Sequence, residues 1–449
     1  MTATTAPNRN VAEVRPAARL AGELRLPGDK SISHRALMLA LLANGESRIR
    51  GAGDGADVRS TAVMVAALGA RVTRARGESG NVDYVVTSPG ADALTAPAAA
   101  LDCGNSGTSM RLFAGILAGQ PFATTVDGDA SLRRRPMARI IDPLRTMGAT
   151  LEGSEGRPNP PLAITGRSPL QAIDWTTPVP SAQVKSAILL AGLRATGTTT
   201  VREAIATRDH TERMLRERGV TVRSKVGREG EALVEIEGGA TVQARDGVVP
   251  GDPSAAAFWL VAGAIHPSAE ITLRGVGVNP TRRAVIDLLV RMGAQIDEQA
   301  VDGIDPDGEP IADLTVRSST LRAAQLTPSD TASAIDEVPI LCLAATQARG
   351  RTVIRGAGEL RHKESDRISG IVQGLRKLGA RIDADRDEII IDGPTQLRGG
   401  VVESESDHRL ALTFAIAGLV AAGPTSITRA DSVAVSYPTF FADLERIRS

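Results

Sequence analysis

The feature that most constrains the fold is an internal repeat that runs through almost the whole chain. Six times an apolar, helix-like run is followed by a short turn and a strand rich in β-branched residues, as in "HRALMLALLANGESRIRGA". The predicted strands end at Gly51, Gly128, Ala204, Gly275, Gly356 and Ala430, with spacings of 77, 76, 71, 81 and 74 residues. Self-similarity at a nearly fixed period indicates six copies of one structural unit.

The second half of each copy has its own pattern. The first five copies continue with an amphipathic helix and a glycine turn, seen in "MVAALGARV", "PLRTMGATL", "MLRERGVTV", "LLVRMGAQI" and "GLRKLGARI", whereas the sixth stops at "FADLERIRS". Glycine after a helix, followed by alternating β-branched residues, predicts a helix end and a strand start. Each copy is therefore predicted to hold two helices and several strands in a mixed α/β (α+β) fold.

Units of this length are too short to be separate enzymes, so two domains of three copies are the expected grouping. We expect residues 26–247 to form the N-terminal domain and residues 248–449 to form the C-terminal domain. Residues 1–25 are expected to be a tail whose first strand joins the C-terminal domain. The two crossovers are placed near Leu24–Gly28 and in the glycine- and proline-rich "DGVVPGDPS".

Composition limits the partners that the chain can recruit. Lysine plus arginine equals aspartate plus glutamate at 52 each, so no global positive field favours nucleic acid or an anionic membrane. The first twenty residues lack an apolar signal-peptide core, and "LALTFAIAGLVAAG" is shorter than a membrane span. We therefore expect a cytoplasmic protein with no nucleic-acid or membrane partner. Its two cysteines, Cys103 and Cys342, are expected to be reduced and buried.

The stretch "LPGDKSISHRA" indicates an anion site near the start of the chain. It is not a nucleotide P-loop, because Asp29 separates Gly28 from Lys30 and Gly22 lies too far back. Lys30 and Arg35 nevertheless lie at the start of an apolar helix, where free N–H groups and the helix dipole favour negative charge.

Polar residues recur at corresponding places in the other copies. They precede the apolar helices in "GDKSISHR", "CGNSGTSMR", "SAQVKS", "GDPSAA", "AIDEVP" and "SDHR", and they follow the strands in "SLRRRPM", "TRDHTERM", "NPTRR" and "LRHKESDR". If the units pack side by side, these residues converge on one cleft and favour a substrate with two or more anionic groups. The alternative is that the small polar residues are ordinary helix caps and that Arg133–Arg135 is a solvated face. The repeated cations favour anion binding, because capping needs no cation.

The segments "GDKSISHRA", "GNSGTSMRL", "GDASLRRRPM", "SAQVKSA", "TRDHTERM", "IDEVPIL", "LRHKESDRI" and "SDHRLAL" resemble the signature segments of the 5-enolpyruvylshikimate-3-phosphate synthase family, in the family's order. The resemblance implies transfer of the enolpyruvyl group of phosphoenolpyruvate to the 5-hydroxyl of shikimate 3-phosphate. It also implies two similar domains, each of three βαβαββ units, with the active site in the cleft between them. No metal or organic cofactor is implied, and we expect a monomer.

The resemblance also assigns residues to each substrate. For phosphoenolpyruvate it implies Lys30, Asn105, Gly107, Thr108, Arg135, Gln183, Lys363, Arg367 and Arg409. For shikimate 3-phosphate it implies Lys30, Ser31, Arg35, Ser181, Ala182, Gln183, Arg208, Asp336 and Lys363. Several guanidinium groups suit a ligand with a phosphate and a carboxylate, because each binds an oxyanion through two N–H groups.

The catalytic residues that the resemblance implies are Lys30, Asp336 and Glu364. Glu364 would protonate the methylene carbon of phosphoenolpyruvate, and Asp336 would take the proton of the attacking hydroxyl. Considered alone, "KESDR" could be an ion-paired surface and "AIDEV" a helix cap. A tetrahedral ketal would be held by the same cations in a cleft that closes around the ligands, and the empty enzyme would stay open.

One departure from the family pattern concerns the late segment "SVAVSYPTF". Some members of the family have a lysine just before the aromatic residue and proline, whereas Val435 and Ser436 precede Tyr437 here. A cation assigned to phosphoenolpyruvate is therefore missing. In the family the inhibitor glyphosate lies against the position of Gly107, and some tolerant members carry alanine there.

Three other functions are less consistent with these residues. Uridine-diphospho-N-acetylglucosamine enolpyruvyl transferase has the same fold, but its "KN" opening and its catalytic-loop cysteine are missing from "DKSISHR" and "GDASLRRRPM". A non-catalytic phospholigand-binding protein is disfavoured because both carboxylates are present. A nucleic-acid-binding protein is disfavoured by the zero net charge and by few aromatic residues for base stacking.

Overall fold

The computed structural model describes residues 10–77, 80–303 and 305–448. The chain divides into two compact units. Unit A contains the described residues of Gly28–Pro250 together with 305–309, and unit B contains 10–27, 251–303 and 310–448. Each unit has a hydrophobic core of its own.

The described residues form thirteen α-helices. They are α1 (Lys30–Leu42), α2 (Ala56–Ala67), α3 (Gly107–Ala118), α4 (Ala138–Thr146), α5 (Ala182–Gly192), α6 (His210–Arg216), α7 (Pro253–Ile265), α8 (Ala284–Arg291), α9 (Pro328–Ser333), α10 (Val338–Gln347), α11 (Arg367–Lys377), α12 (His408–Val420) and α13 (Phe440–Ile447).

The described residues also form twenty-five strands. They are β1 (Val11–Val14), β2 (Leu20–Arg25), β3 (Asn44–Ala52), β4 (Arg71–Arg76), β5 (Val82–Pro89), β6 (Leu101–Asp102), β7 (Ala123–Asp127), β8 (Thr150–Glu152), β9 (Leu162–Thr165), β10 (Leu170–Gln171), β11 (Asp174–Thr176), β12 (Ala195–Thr196), β13 (Thr198–Glu203), β14 (Val222–Val226), β15 (Ala232–Glu237), β16 (Gly247–Val248), β17 (Ala269–Gly277), β18 (Gln295–Ala300), β19 (Ile311–Arg317), β20 (Gln325–Leu326), β21 (Gly350–Ile354), β22 (Arg381–Asp385), β23 (Glu388–Gly393), β24 (Gly400–Glu403) and β25 (Thr425–Thr428).

Five four-stranded sheets share one topology. In unit A their orders are β16-β3-β5-β4, β6-β7-β9-β8 and β11-β13-β15-β14, and in unit B they are β2-β17-β19-β18 and β20-β21-β23-β22. The first pair in each order is parallel and the other pairs are antiparallel. In the second copy all elements are consecutive in the sequence, in the order β6-α3-β7-α4-β8-β9. The structure therefore confirms the predicted βαβαββ repeat.

The sixth copy ends at α13, before its final hairpin, and its sheet has the order β1-β25-β24. Strand β24 pairs in parallel with β25, as in the other copies, and β1 pairs antiparallel with β25 from the other side. The N-terminal strand thus takes the place of the missing hairpin strand, which leaves β25 paired on both sides.

Two copies receive their leading strand from a distant part of the chain. Strand β16 pairs in parallel with β3, and β2 pairs in parallel with β17. Both β3 and β17 contain a bulge, where Gly51 has a φ of 72° and Gly275 a φ of 65°. The amide of Gly51 donates to Asp83 Oδ1 and that of Gly275 to Asp313 Oδ1, each at 2.8 Å. Glycine suits both places because positive φ carries no penalty there.

The apolar helix of each copy is the one that lies in the core. Helices α1, α3 and α5 in unit A, and α7, α10 and α12 in unit B, are almost entirely buried. Helix α3 packs against α5, and α7, α10 and α12 pack against one another. Such burial explains why these helices are apolar on every side. None of the helices that the structure describes is long and apolar enough to cross a membrane.

Residues 305–309 belong to unit A, although the sequence-based boundaries place them in the C-terminal half. His210 Nδ1 lies 2.7 Å from Glu309 Oε1, and Arg245 pairs with Asp305 at 2.8 Å. Arg213 donates to the backbone oxygen of this segment at Gly308. The segment lies between β18 and β19. Its contacts with unit A are polar, so the pattern of apolar residues in the sequence could not predict them.

Candidate active site

Three helices of unit A begin at predicted ligand-binding residues, and each has a side-chain cap just before it. Asp29 accepts from the amide of Ile32 at 2.8 Å at the start of α1, and Ser106 accepts from that of Ser109 at 3.1 Å in α3. Ser181 caps α5. The capping interpretation is therefore right for these three residues. The next residues in the chain, among them Lys30, Gly107 and Ala182, form the first turns, and the N–H groups there that the caps do not use can bind an anion.

The starts of α3 and α5 are joined through Gln183. Its Nε2 donates to Thr108 Oγ1 at 2.9 Å, and its Oε1 accepts from Arg111 NH1 at 2.5 Å. Arg111 is absent from the sequence-based assignment. Burial and, next, the neighbouring Arg135 lower its pKa to about 10, so it remains charged at neutral pH. The available signal was one arginine inside an apolar helical run, "SMRLFAGILA".

Arg35 is a buried cation that is held by neutral groups. It donates to Thr211 Oγ1 at 2.8 Å, to Ser186 Oγ at 2.9 Å and to the backbone oxygen of Ser31 at 3.0 Å. It makes no ion pair with any other residue that the structure describes. Burial lowers its pKa to about 10, and the negative charge of Glu212 is the largest opposing effect. A buried charge without a bonded counter-ion favours an anionic ligand.

A second hydrogen-bonded chain surrounds the start of α3. Arg135 NH2 donates to Asn105 Oδ1 at 2.8 Å, and Asn105 Nδ2 donates to Asp129 Oδ2 at 2.7 Å. A Cβ atom added to Gly107 would lie 2.8 Å from Arg111 NH1 and 3.2 Å from Arg135 NH1. The glycine therefore keeps two guanidinium groups close to the first turn of the helix.

The two other cations assigned in unit A lie outside these chains. Lys30 forms an ion pair with the buried carboxylate of Asp57. Arg208 lies between β13 and α6, directly after Thr207, and is half-buried. We name Lys30, Arg35, Arg111, Arg135 and Arg208, with the first turns of α1, α3 and α5, the unit A cluster.

In unit B, Arg367 lies at the centre of a group of carboxylates. Its side chain is 1% exposed, and its Nε donates to Asp407 Oδ2 at 2.8 Å. Its NH2 donates to Glu364 Oε2 at 2.5 Å, and its NH1 lies 3.4 Å from Asp336 Oδ1. Lys363 Nζ is 3.7 Å from the same Asp336 oxygen. The structure thus brings together both predicted catalytic carboxylates of unit B and two of its predicted cations.

The protonation of this group follows from its charges. Burial raises the pKa of Glu364, but Arg367 and then His408 outweigh it, so that the pKa is lowered overall. Burial and, next, Arg409 lower the pKa of His408 to about 4. At neutral pH without ligands, Glu364 is therefore ionised and His408 is neutral.

Arg409 is tied to the same group through the start of α12. Its amide donates to Asp407 Oδ1 at 2.8 Å, and its guanidinium NH1 lies 3.5 Å from Glu337 Oε1. Asp407 thus caps the helix and also bonds Arg367. Neither Asp407 nor Glu337 was assigned a role from the sequence, although "SDHR" and "AIDEV" contain them. We name Asp336, Lys363, Glu364, Arg367, Asp407 and Arg409 the unit B cluster.

The segment that lacks the family's lysine is packed through its aromatic residue. Tyr437 is buried and its hydroxyl accepts from Trp259 Nε1 at 3.0 Å. Val435 is 44% exposed and ends a short 3₁₀ helix, Ala430–Val435. Tyr437 thus packs in the core of unit B.

Comparison with known proteins gives a consistent result along the chain. Residues 14–444 match the family EPSP synthase (3-phosphoshikimate 1-carboxyvinyltransferase). The 3-phosphoshikimate 1-carboxyvinyltransferase of Gloeobacter violaceus is 50% identical over 442 residues, covering 97% of this chain and 98% of that protein. That of Geobacter metallireducens is 46% identical over 434 residues, covering 97% and 98%.

The fold leads to the same family. The solved structure of EPSP synthase from Acinetobacter baumannii matches with a TM-score of 0.88 and 40% identity, covering 98% of each chain. Sequence and fold therefore agree over nearly the full length of the chain and of its relatives. The chain belongs to the EPSP synthase family.

Proposed function

We propose that this protein transfers the enolpyruvyl group of phosphoenolpyruvate to the 5-hydroxyl of shikimate 3-phosphate and releases phosphate. The observation that carries the proposal is the pair of carboxylates, Glu364 and Asp336, on one buried guanidinium group, that of Arg367. Two proton-transfer groups beside an anion-binding group are what addition to phosphoenolpyruvate requires.

Unit A supplies most of the groups proposed for shikimate 3-phosphate. The first turn of α5, with Ser181, Ala182 and Gln183, offers backbone N–H groups to a phosphate. Arg35 and Arg208 add positive charge, and Ser31 a hydroxyl, while Lys30, Lys363 and Asp336 complete the proposed set. Arg35 supports this role because its bonds to neutral partners leave its charge for the ligand.

Phosphoenolpyruvate carries a phosphate and a carboxylate, and five cations are proposed to bind these groups. They are Lys30, Arg135, Lys363, Arg367 and Arg409, with Asn105, Gly107, Thr108 and Gln183 lining the pocket. The bonds of Arg135 to Asn105 and of Gln183 to Thr108 support this set, because they orient the polar groups before a ligand arrives.

The proposed chemistry proceeds in two steps. Asp336 takes the proton of the 5-hydroxyl as its oxygen bonds to C2 of phosphoenolpyruvate, and Glu364 gives a proton to C3, which becomes a methyl group. The carboxylate of Glu364 then takes a proton back from that methyl group as the C–O bond of the ketal to phosphate breaks. Lys30 is proposed to stabilise the negative charge of the departing phosphate.

The state of Glu364 without ligands bears on the first step. A proton donor at neutral pH needs a higher pKa than the lowered one that Arg367 imposes. An anionic group of phosphoenolpyruvate that binds Arg367 opposes this effect, because a nearby negative charge favours the protonated carboxyl. We therefore expect substrate binding itself to raise the pKa of Glu364.

The test is phosphate release measured with each substrate alone and with both. Release that requires both substrates supports the proposal, whereas release that requires uridine-diphospho-N-acetylglucosamine instead supports the rival transferase. Binding of either substrate without turnover supports a non-catalytic protein. The monomeric state, the cytoplasmic location and the domain limits 26–247 and 248–449, with residues 1–25 joining the latter, remain predictions.

A further inference from the structure

Unit A contains a buried triad of charges that the proposed chemistry does not use. Lys185 Nζ lies 2.8 Å from Glu203 Oε2 and 2.9 Å from Glu212 Oε1, and the three side chains are 2%, 0% and 1% exposed. Burial lowers the pKa of Lys185, but Glu212 and Glu203 outweigh it and raise the pKa overall, so the ammonium group stays charged. A buried triad of charges stabilises a fold little more than apolar side chains of the same volume would, so stability alone does not explain this triad.

The triad holds the turn that carries Arg208. Lys185 Nζ donates to the backbone oxygen of Thr207 at 3.2 Å. The Thr207 hydroxyl donates to Glu203 Oε1 at 2.6 Å, and the Thr207 amide donates to Glu203 Oε2 at 3.3 Å. Three bonds therefore fix the residue directly before Arg208. The amide of Ala206, one residue earlier, also donates to the backbone oxygen of Gly230 at 2.7 Å. The turn is half-exposed, so loss of the Thr207 bonds should loosen its backbone next to Arg208.

The same triad is joined to the start of α5 and to Arg35. Ser186 and Thr211, the residues next to Lys185 and Glu212, bond to each other at 2.7 Å, and Arg35 donates to both. Helices α5 and α6 are thus connected by two adjacent pairs of residues.

We infer that the Lys185–Glu203–Glu212 triad is a positioning element for shikimate 3-phosphate. It holds Arg208 at a fixed place relative to Arg35 and to the first turn of α5, while its own side chains and Thr207 do not touch the ligand. This inference rests on the proposed function, since it assumes that Arg208 and the start of α5 bind that substrate. It predicts that loosening the turn weakens one substrate and spares the other.

The experiment uses Thr207, because this residue is half-buried and its replacement should leave the fold intact. Thr207→Val removes the hydroxyl that bonds Glu203 and keeps the shape, and Thr207→Ser keeps the hydroxyl. Thr428→Val is the matched control in unit B, where the Thr428 hydroxyl donates to Glu403 Oε2 at the same 2.6 Å. Steady-state phosphate release by the full chain gives kcat and a KM for each substrate.

We expect Thr207→Val to raise the KM for shikimate 3-phosphate about tenfold and the KM for phosphoenolpyruvate less than about twofold. Thr207→Ser and Thr428→Val should match the wild type. In an Arg208→Ala background, Thr207→Val should add less than about twofold, because the triad then has no ligand-binding group to position. Equal rises in both KM values, an unchanged KM for shikimate 3-phosphate, or additive effects with Arg208→Ala would overturn the inference.

The outcomes also separate this inference from the function beneath it. If the wild type turns over both substrates and Thr207→Val behaves like it, only the positioning role fails. If the wild type shows no turnover that depends on shikimate 3-phosphate, the proposed function fails and the positioning role fails with it.

Discussion

The arginines that surround the proposed site in unit A and the central arginine of unit B have different partners. In unit A, Arg35 bonds hydroxyl groups, Arg111 bonds the amide of Gln183, and Arg135 bonds that of Asn105. In unit B, Arg367 alone contacts three carboxylates. A guanidinium group with neutral partners keeps its charge for a ligand, whereas one with carboxylate partners controls their protonation. In the proposed function, the neutral partners of unit A therefore serve anion binding, and the carboxylates around Arg367 in unit B also serve proton transfer.

The two units differ in their charged side chains although corresponding helices begin in the same way. Helix α1 follows "GD" with Asp29 as its cap, and α7 follows "GD" with Asp252 as its cap. The next residue is Lys30 in α1 and Pro253 in α7. Lys30, which pairs with Asp57, and the buried Lys185, which pairs with two glutamates, are exceptions to neutral pairing in unit A. The copies thus have the same backbone geometry at this helix start, and they differ in the side chains of the first turn.

The largest expected effect comes from removing the central guanidinium of unit B. Arg367→Met leaves Glu364, Asp336 and Asp407 without their shared cation and should destabilise unit B by about 3–5 kcal/mol. Arg111→Met in unit A leaves one amide oxygen unpaired and should cost only about 1 kcal/mol. Trp175 is the tryptophan of unit A and Trp259 that of unit B. During urea denaturation, the tryptophan fluorescence of a Trp259→Phe background therefore reports unit A, and that of a Trp175→Phe background reports unit B. Equal losses in the two variants would contradict the comparison.

The next effect concerns turnover. Glu364→Gln keeps an oxygen that accepts from Arg367 but removes the transferable proton, so kcat should fall about 100-fold or more while both substrates still bind. The matched control is Glu359→Gln, which changes an exposed carboxylate that pairs with Lys363. It should retain most of the wild-type kcat. Wild-type turnover by Glu364→Gln would remove Glu364 from the mechanism.

A smaller effect is expected at Gly107 in unit A. A methyl group there would press on the ends of Arg111 and Arg135, which are flexible and can shift. We expect glyphosate to inhibit the wild type competitively with phosphoenolpyruvate. Gly107→Ala should weaken that inhibition roughly ten- to hundredfold, by about 1–3 kcal/mol, and the binding of phosphoenolpyruvate less. Inhibition titrations on both proteins test this, and identical curves would show that Gly107 does not control the pocket.

Much of this molecule could be predicted from its sequence because the repeat fixes the order of its elements. The six apolar helices and the strands after them follow from hydrophobic periodicity, and the caps Asp29, Ser106 and Ser181 follow from residue type. The family resemblance then identified the segments that carry the charged residues.

The contacts between elements could not be predicted in the same way. Arg111 reaches Gln183 only because α3 packs against α5, and Asp407 bonds Arg367 across about forty residues of chain. The Lys185 triad unites α5, the end of β13 and α6. Each of these contacts depends on how helices pack, which periodicity along the chain does not encode.

The smallest expected effect is a pH dependence of stability, which arises from His34 in unit A and His408 in unit B. Burial and, next, Lys30 lower the pKa of His34 to about 3 in unit A, and that of His408 is about 4 in unit B. An unfolded histidine has a pKa near 6.5. Below about pH 6.5 the unfolded chain therefore binds a proton that the folded chain excludes, and the free energy of unfolding decreases as the pH is lowered. At about pH 5.5 each histidine should lower the free energy of unfolding by about 1.4 kcal/mol relative to about pH 7.5. His34→Gln should abolish this difference for unit A, followed through Trp175 in a Trp259→Phe background, and leave it unchanged for unit B. The lowered pKa values of Glu364 and Asp407 lie below this window and do not interfere. An equal loss of stability on acidification with and without His34 would show that another group in unit A takes up the proton.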